Sequence, residues 1–289
     1  MELNNPKVTH ITDSQISSAG ILLAETFFTD PLNQYVFPDP EERSRVLSWY
    51  FAASVREGAF LQSVYVTGEP IKGVAVWTPP GFHERTPERA RHSGLDQIQR
   101  QFGPQAYQRF TGVINHLARF SSQVVPPAHW YLSLIGVFPA CQGQGIGGAL
   151  LAPVLLKADK EGTCCSLETF EEKTLSFYHR HGFQVVVAEI ELYSQLRFWT
   201  MRRSPRTSPR PVRPLSLAGI SFCPKEMKGH IGFISDDPAI MTRRNSKDIA
   251  GGQFIDRAIF HGNGCPPRNH HPHMRDLADG GASHRTNMC

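Results

Sequence analysis

The sequence predicts an α/β fold with mixed strand directions, and three observations carry the prediction. Strand-like apolar alternation and helix-like apolar spacing take turns along the chain up to about residue 203. Two of the strand-like runs, 60–66 and 72–78, are joined by Gly68-Glu69-Pro70, which is turn chemistry for an antiparallel pair. A third run, 130–137, leads through a glycine-dense loop into a helix.

The elements follow in order. Residues 7–11 read as a short strand, Asp13 as the N-cap of a helix, and Ile16, Leu23 and Phe27 as its apolar face. Asp39-Pro40-Glu41-Glu42 starts a second helix, with proline at the first helical position and Glu42 placed for a capping box. Val46, Trp49, Tyr50 and Ala53 are its expected buried side. After the hairpin, Pro79-Pro80-Gly81 ends the second strand. Residues 87–120 carry helical spacing at Leu95, Ile98 and Phe102, then at Phe110, Val113 and Leu117, and Gly103-Pro104 divides them into two expected helices. Beyond the glycine loop a helix ends near Gly162, 165–170 reads as a strand, 171–181 as a short helix closed by Gly182, and 183–192 and 196–201 as final strands.

Composition narrows the class. The chain has 289 residues and 40% hydrophobic content, normal for a protein with a packed core. No window approaches the roughly 18 uninterrupted apolar residues of a membrane span, and the start shows no charged segment followed by an apolar run. The expectation is a cytoplasmic protein with no membrane partner. A net charge of +4 is too low for this length to mark a nucleic-acid-binding domain. The six cysteines are scattered and are expected to be reduced thiols.

The pattern changes at Ser204-Pro-Arg-Thr-Ser-Pro-Arg-Pro-Val-Arg-Pro214. Residues 1–203 read as one folded domain with a helical insertion at about 85–120, and 204–289 as a Pro/Arg/His/Gly-rich tail expected to be largely disordered. Cys265, His270, His271 and His273 lie in that tail, but their spacing matches no standard zinc pattern, so no metal site is assigned.

A strand, closely spaced glycines and a helix start together present unpaired backbone N–H groups at the positive end of a helix dipole, which suits a phosphate or pyrophosphate. The same residues also read as a tight turn without a ligand. Gly143-x-Gly145-x-x-Gly148 satisfies a dinucleotide fingerprint, with Glu168 about where a ribose-binding acid is expected. Against that rival, Pro139 and further residues separate strand from glycine, and too few βαβ units follow. No Gly-Lys-Ser/Thr follows for a mononucleotide P-loop.

Leu132-Ser-Leu-Ile-Gly-Val-Phe-Pro-Ala-Cys-Gln-Gly-Gln-Gly-Ile-Gly147, then Leu167-Glu-Thr169, then Phe177-Tyr-His-Arg-His-Gly-Phe183 together resemble the GNAT superfamily of N-acetyltransferases. The family's Gln/Arg-x-x-Gly-x-Gly/Ala signature is met by Gln142-Gly-Gln-Gly-Ile-Gly147. The resemblance covers about the first 203 residues, including Asp30-Pro31-Leu32 and Phe198-Trp-Thr-Met-Arg202. It implies a mixed, mostly antiparallel central sheet flanked by helices and splayed beside the strand before the glycines. It further implies transfer of an acetyl group from acetyl-CoA to a primary amine in a ternary complex. Ile135, Gly136 and Val137 would meet the pantetheine arm, with the Val137 N–H facing the thioester oxygen. Gln142, Gly143, Gln144, Gly145, Ile146, Gly147 and Gly148 would hold the pyrophosphate.

Tyr178 aligns with the tyrosine that protonates the departing thiolate in many members, and Glu168 is a candidate base for the acceptor ammonium. Thr174 stands where many members carry asparagine. His179 and His181 are expected to face solvent, and Cys164 and Cys165 to be small buried side chains. The insertion is the expected wall of the acceptor site, its Arg89, Arg91, Arg100 and Arg109 mostly a solvated face. The partner is a small-molecule or peptide amine, and the expected assembly a monomer or homodimer. A non-catalytic acyl-CoA-binding module is the alternative, since it would need the glycine cradle but neither Tyr178 nor Glu168.

Overall fold

A computed structural model describes residues 6–206, and every statement below concerns these residues. Seven strands form one sheet in the order β1-β2-β3-β4-β5-β7-β6. They are β1 (Val8–His10), β2 (Val64–Thr67), β3 (Gly73–Thr78), β4 (Trp130–Val137), β5 (Cys165–Thr169), β6 (Gln184–Ile190) and β7 (Arg197–Arg203). Every neighbouring pair is antiparallel except β4 and β5. This mostly antiparallel sheet is incompatible with the doubly wound parallel sheet of the dinucleotide rival, which drops out at the level of topology.

The helices are α1 (Ile16–Thr26), α2 (Pro31–Val36), α3 (Pro40–Phe60), α4 (Pro87–Ser93), α5 (Ile98–Phe102), α6 (Pro104–Val124), α7 (Ile146–Glu161) and α8 (Leu175–Arg180). On one side of the sheet α1, α3, α5 and the first half of α6 pack against Val64, Val66, Val74 and Val76. On the other side α7 and α8 cover Ala75, Trp77, Trp130, Leu132, Leu167 and Met201. The alternation of β2 and β3 thus feeds two cores, one per face. The second half of α6 reaches the far end of the sheet, where Val113 and Leu117 pack on Phe198.

Local chemistry explains the element boundaries. The Asp39 carboxylate accepts from the N–H groups of Glu41 (2.7 Å) and Glu42 (3.0 Å), satisfying donors at the start of α3. Such a cap contributes about 1 kcal/mol. Trp49 and Tyr50 are half-buried, while Val46 and Ala53 are buried as expected. Ahead of α1 the capping residue is Thr12 rather than Asp13: its N–H donates to Gln15 Oε1 at 3.0 Å across a short 3-10 turn. The first hairpin strand begins at Val64 instead of residue 60, because α3 runs through Phe60. The insertion holds three helices where two were expected. Gly94, at φ 87°, ends α4 and allows a turn that seats Leu95 in the core before α5 begins. Gly20 lets α1 and α3 cross closely, since a Cβ there would lie 2.7 Å from Ala52.

The last described strand, β7, ends at Arg203. The tail features beyond 206, including Cys223, Cys265, Cys289 and the histidine group, lie outside the described residues. Among the described residues no helix is long and apolar enough to cross a membrane. The described cysteines, Cys141, Cys164 and Cys165, are free; Cys165 is buried and Cys164 half-buried. Burial pushes the Cys165 thiol up to about 12.

Candidate active site

The site begins with a break in the sheet. β4 and β5 pair only at Trp130↔Cys165 and Tyr131↔Ser166, whereas β4 stays paired with β3 through Val137↔Gly73. From Leu132 onward, the edge of β4 that faces β5 has no strand against it. A cleft of about 1170 Å³ occupies the gap. Its lining comes from both faces of the sheet, with Gly147, Phe177 and Tyr178 from the α7/α8 side and Tyr50, Phe51, Phe110 and Glu168 from the α3/α6 side. The cleft therefore passes through the sheet at the splay.

At one mouth the chain leaves β4 through Pro139–Cys141 and turns into α7 over the glycines. Gly143 and Gly145 sit at φ 77° and 78°, left-handed conformations that other residues rarely adopt, and a Cβ on either would meet nothing within 4 Å. The first N–H groups of a helix have no intrahelical acceptor, and α7 is 16 residues long, so its start carries a full helix-dipole charge. Gly147 and Gly148 are close approaches. A Cβ would fall 3.0 Å from the Phe177 ring at Gly147 and 2.8 Å from His181 Nε2 at Gly148. Gln142 donates from Nε2 to the Val137 carbonyl at 3.2 Å, tying the loop to the strand end.

Of the residues expected around the cofactor, Ile135, Val137, Gln142, Gly143, Gly145, Ile146, Gly147 and Gly148 line the cleft. Two do not. Gly136 presents its Cα to α1, where a Cβ would meet Leu23 at 2.9 Å, and the Gln144 side chain turns away to Ala140 O at 3.4 Å. The alternation of β4 is the reason for the first, because neighbours along a strand face opposite ways.

Tyr178 is buried, held edge-on by Phe177 and Phe183 at ring distances of 5.1 and 6.0 Å, and lines the cleft. Burial, then the nearby charges of Glu171 and Asp30, push its phenol well above the ordinary value, so the hydroxyl keeps its proton throughout the physiological range. Glu168, near the end of β5, accepts a hydrogen bond from the Ser121 hydroxyl of α6, and Ser121 in turn lies 3.3 Å from Thr200 Oγ1. The helical insertion thus supports the carboxylate expected to act as base.

Thr174, in the family's asparagine position, is committed locally, donating to Glu171 O at 2.7 Å and lying 3.0 Å from Thr169 Oγ1. His179 is exposed, as expected. His181 is half-buried instead, with Nδ1 bonded to Phe177 O at 2.8 Å and its ring against the first turn of α7. Of the insertion arginines, Arg91 and Arg100 are exposed, but Arg89 is buried on Glu57 at 2.9 Å, and Arg109 donates to the carbonyls of Tyr35 and Val36.

Sequence reasoning missed Asp30 as a site residue. Its carboxylate caps α2 by accepting from Leu32 N at 2.9 Å and Asn33 N at 3.4 Å, and it also lines the cleft close enough to Tyr178 to shift the phenol. Burial pushes the Asp30 carboxyl up to about 6, against the lowering effect of those two N–H groups. Asp30-Pro31 reads in sequence as a helix start, which it is; nothing local signals that the same carboxylate faces Tyr178.

Residues 108–185 match the model of the Acetyltransferase (GNAT) domain. Among solved structures, the chain is similar to histone acetyltransferase HPA2 and related acetyltransferase from Corynebacterium glutamicum, with TM-score 0.50 and 20% identity over 71% of this chain and 99% of that one. It is also similar to arylalkylamine N-acetyltransferase 2 from Aedes aegypti, with TM-score 0.47 and 15% identity over 70% and 99% of the two chains. A third similarity is to the polyamine N-acetyltransferase of Drosophila melanogaster, with TM-score 0.47 and 14% identity over 68% and 99%. The described chain has the GNAT fold and carries a match to its acetyltransferase domain, which together support an acetyltransferase enzyme.

Proposed function

We propose that the chain moves an acetyl group from acetyl-CoA to a primary amine by direct transfer in a ternary complex. The observation that carries this reading is the cleft through the splayed sheet. It joins the start of α7 and the proton-bearing Tyr178 on one face to a lobe lined by Asp30 and Glu168 on the other. The left-handed glycines and the start of α7 fit a pyrophosphate, since the backbone approaches there without side chains in the way. The unpaired edge of β4 fits the amide-bearing pantetheine arm, which would bond to Ile135 and Val137 as an added strand does.

The roles follow from placement. The Val137 N–H would polarise the thioester carbonyl, whose oxygen gains charge as the amine attacks. Amines of this kind are ammonium ions at neutral pH, so a carboxylate must first take a proton, and Glu168 and Asp30 both line the lobe where the amine would stand. The amine nitrogen then bonds to the carbonyl carbon, the carbon–sulfur bond breaks, Tyr178 gives its proton to the departing sulfur, and the extra proton shed by the nitrogen as the amide forms restores the phenol through water. A buried thiolate shares the desolvation that raises the tyrosine, so its affinity for the proton rises along with that of the donor. Initial rates measured with both substrates varied test the ternary complex. Intersecting double-reciprocal lines are expected, and parallel lines would show a covalent acyl-enzyme and overturn direct transfer.

A further inference from the structure

Resting on the transferase reading, we infer that the acceptor is a monoamine carried on an extended, ring-bearing apolar body, and not a diamine, a polyamine or a lysine side chain. The basis is the α3/α6 lobe of the cleft. Phe27, Tyr50, Phe51 and Phe110 all line it and form one contiguous cluster, with ring centroids 5.4 Å apart for Phe27 and Phe51, 5.2 Å for Tyr50 and Phe51, and 5.7 Å for Tyr50 and Phe110. Along α6, Phe110, Ile114 and Leu117 continue that wall at helical spacing toward Ser121, the residue that holds Glu168. At a rise of about 1.5 Å per residue the apolar wall from Leu117 to Phe110 is about 10 Å long. That is deeper than a short alkylamine can fill.

Charge placement makes the lobe one-ended. Four carboxylates line the cleft, namely Asp30, Glu57, Glu168 and Glu171. Asp30 and Glu171 both act on Tyr178, and Glu168 ends at Ser121, so these three lie where the reacting ammonium would arrive. Glu171 already holds Lys173 at 2.9 Å, which leaves Asp30 and Glu168 to receive the ammonium. Glu57, the remaining one, is already clasped: Arg85 Nε and Nη2 donate to it at 2.5 and 2.6 Å, and Arg89 Nε at 2.9 Å. A second ammonium on the acceptor would be stripped of water among rings and find no carboxylate to offset that cost. An aromatic body instead meets a wall of four rings, the side chains against which another ring packs most favourably.

The test uses the full chain, acetyl-CoA and a matched series consisting of butylamine, 2-phenylethylamine, 4-phenylbutylamine, putrescine and a lysine-containing peptide, with free thiol release followed and acetyl-CoA affinity measured separately by calorimetry. The expected result is that kcat/KM rises by about fourfold per methylene added to the apolar body, as burial of about 0.8 kcal/mol each implies. Phenylalkylamines should then exceed putrescine and the peptide by at least about 100-fold. Phe110→Leu should lower kcat/KM for 4-phenylbutylamine by about 10-fold or more, move butylamine much less, and leave acetyl-CoA affinity unchanged. Putrescine or the peptide equalling the phenylalkylamines would overturn the inference while leaving acetyl transfer intact. Tight acetyl-CoA binding with no acceptor turned over would overturn the transferase reading, and this one with it.

Discussion

Asp30 and Tyr178 illustrate how one neighbourhood sets two acidities. The Asp30 carboxyl titrates near 6 when folded, above the roughly 3.9 of an unfolded aspartate, so its ionisation opposes folding. The carboxyl therefore costs nothing below about pH 4, and stability falls as pH rises from there to about 6. An asparagine in its place caps α2 equally well and has no charge to desolvate. Asp30→Asn should therefore unfold like the parent at pH 4 but be more stable by about 2 kcal/mol at pH 7.5, a figure reduced for the solvent reaching the cleft. Urea denaturation at the two pH values checks it, and equal differences at both would refute the assignment. If ionised Asp30 takes the ammonium proton, the variant also loses the acid limb of kcat/KM near pH 6. For Tyr178 the expectation is kinetic. Tyr178→Phe keeps the ring packed on Phe177 and Phe183 and removes only the proton, so kcat and kcat/KM should fall together by about 10² to 10⁴ with acetyl-CoA affinity unmoved. A variant as fast as the parent would place the donor elsewhere.

The glycine loop and its helix are the element on which cofactor binding depends. Gly145→Glu forces a side chain into a left-handed position and puts negative charge at the start of α7, and Gly147→Glu drives a Cβ into Phe177. Either should abolish acetyl-CoA binding by calorimetry in variants that fold, and unchanged affinity would remove the cofactor assignment. This element was legible in the sequence because its signals are local: glycines that a turn demands, a strand before them, a helix after. β4 was likewise legible to its end residues. What the sequence did not show depends on how elements meet. Which helix covers the Gly136 face of β4, and that His181 packs on α7, are set by packing far away in the chain. The third helix of the insertion was hidden because α4 is short and Ala90 is its one buried apolar residue, too few to display a period, whereas Leu95, Ile98 and Phe102 marked α5. The face of Asp30 was hidden by its plain role as a helix cap.

Across the described residues, the sheet carries the site between two cores, and Arg203 ties β7, the strand next to the β6 edge, to α7. Its guanidinium bonds Asp159 of α7 at 2.8 and 2.7 Å and holds that carboxyl below the usual aspartate range. The Arg206 N–H adds a third bond to Asp159 at 2.7 Å. We propose that the folding unit closes here, so a chain cut after Arg206 should fold and bind acetyl-CoA as the full chain does. Loss of either would show that residues beyond 206 belong to the domain. What the molecule does is decided by where the acetyl group goes. The most direct measurement is rapid quench of the full chain with carbonyl-labelled acetyl-CoA and 4-phenylbutylamine, followed by mass spectrometry of both protein and amine. The prediction is one labelled acetyl on the amine nitrogen for each CoA released, with none on the protein at any time. Label on a protein side chain such as Cys141, or bound acetyl-CoA that never labels an amine, would contradict it.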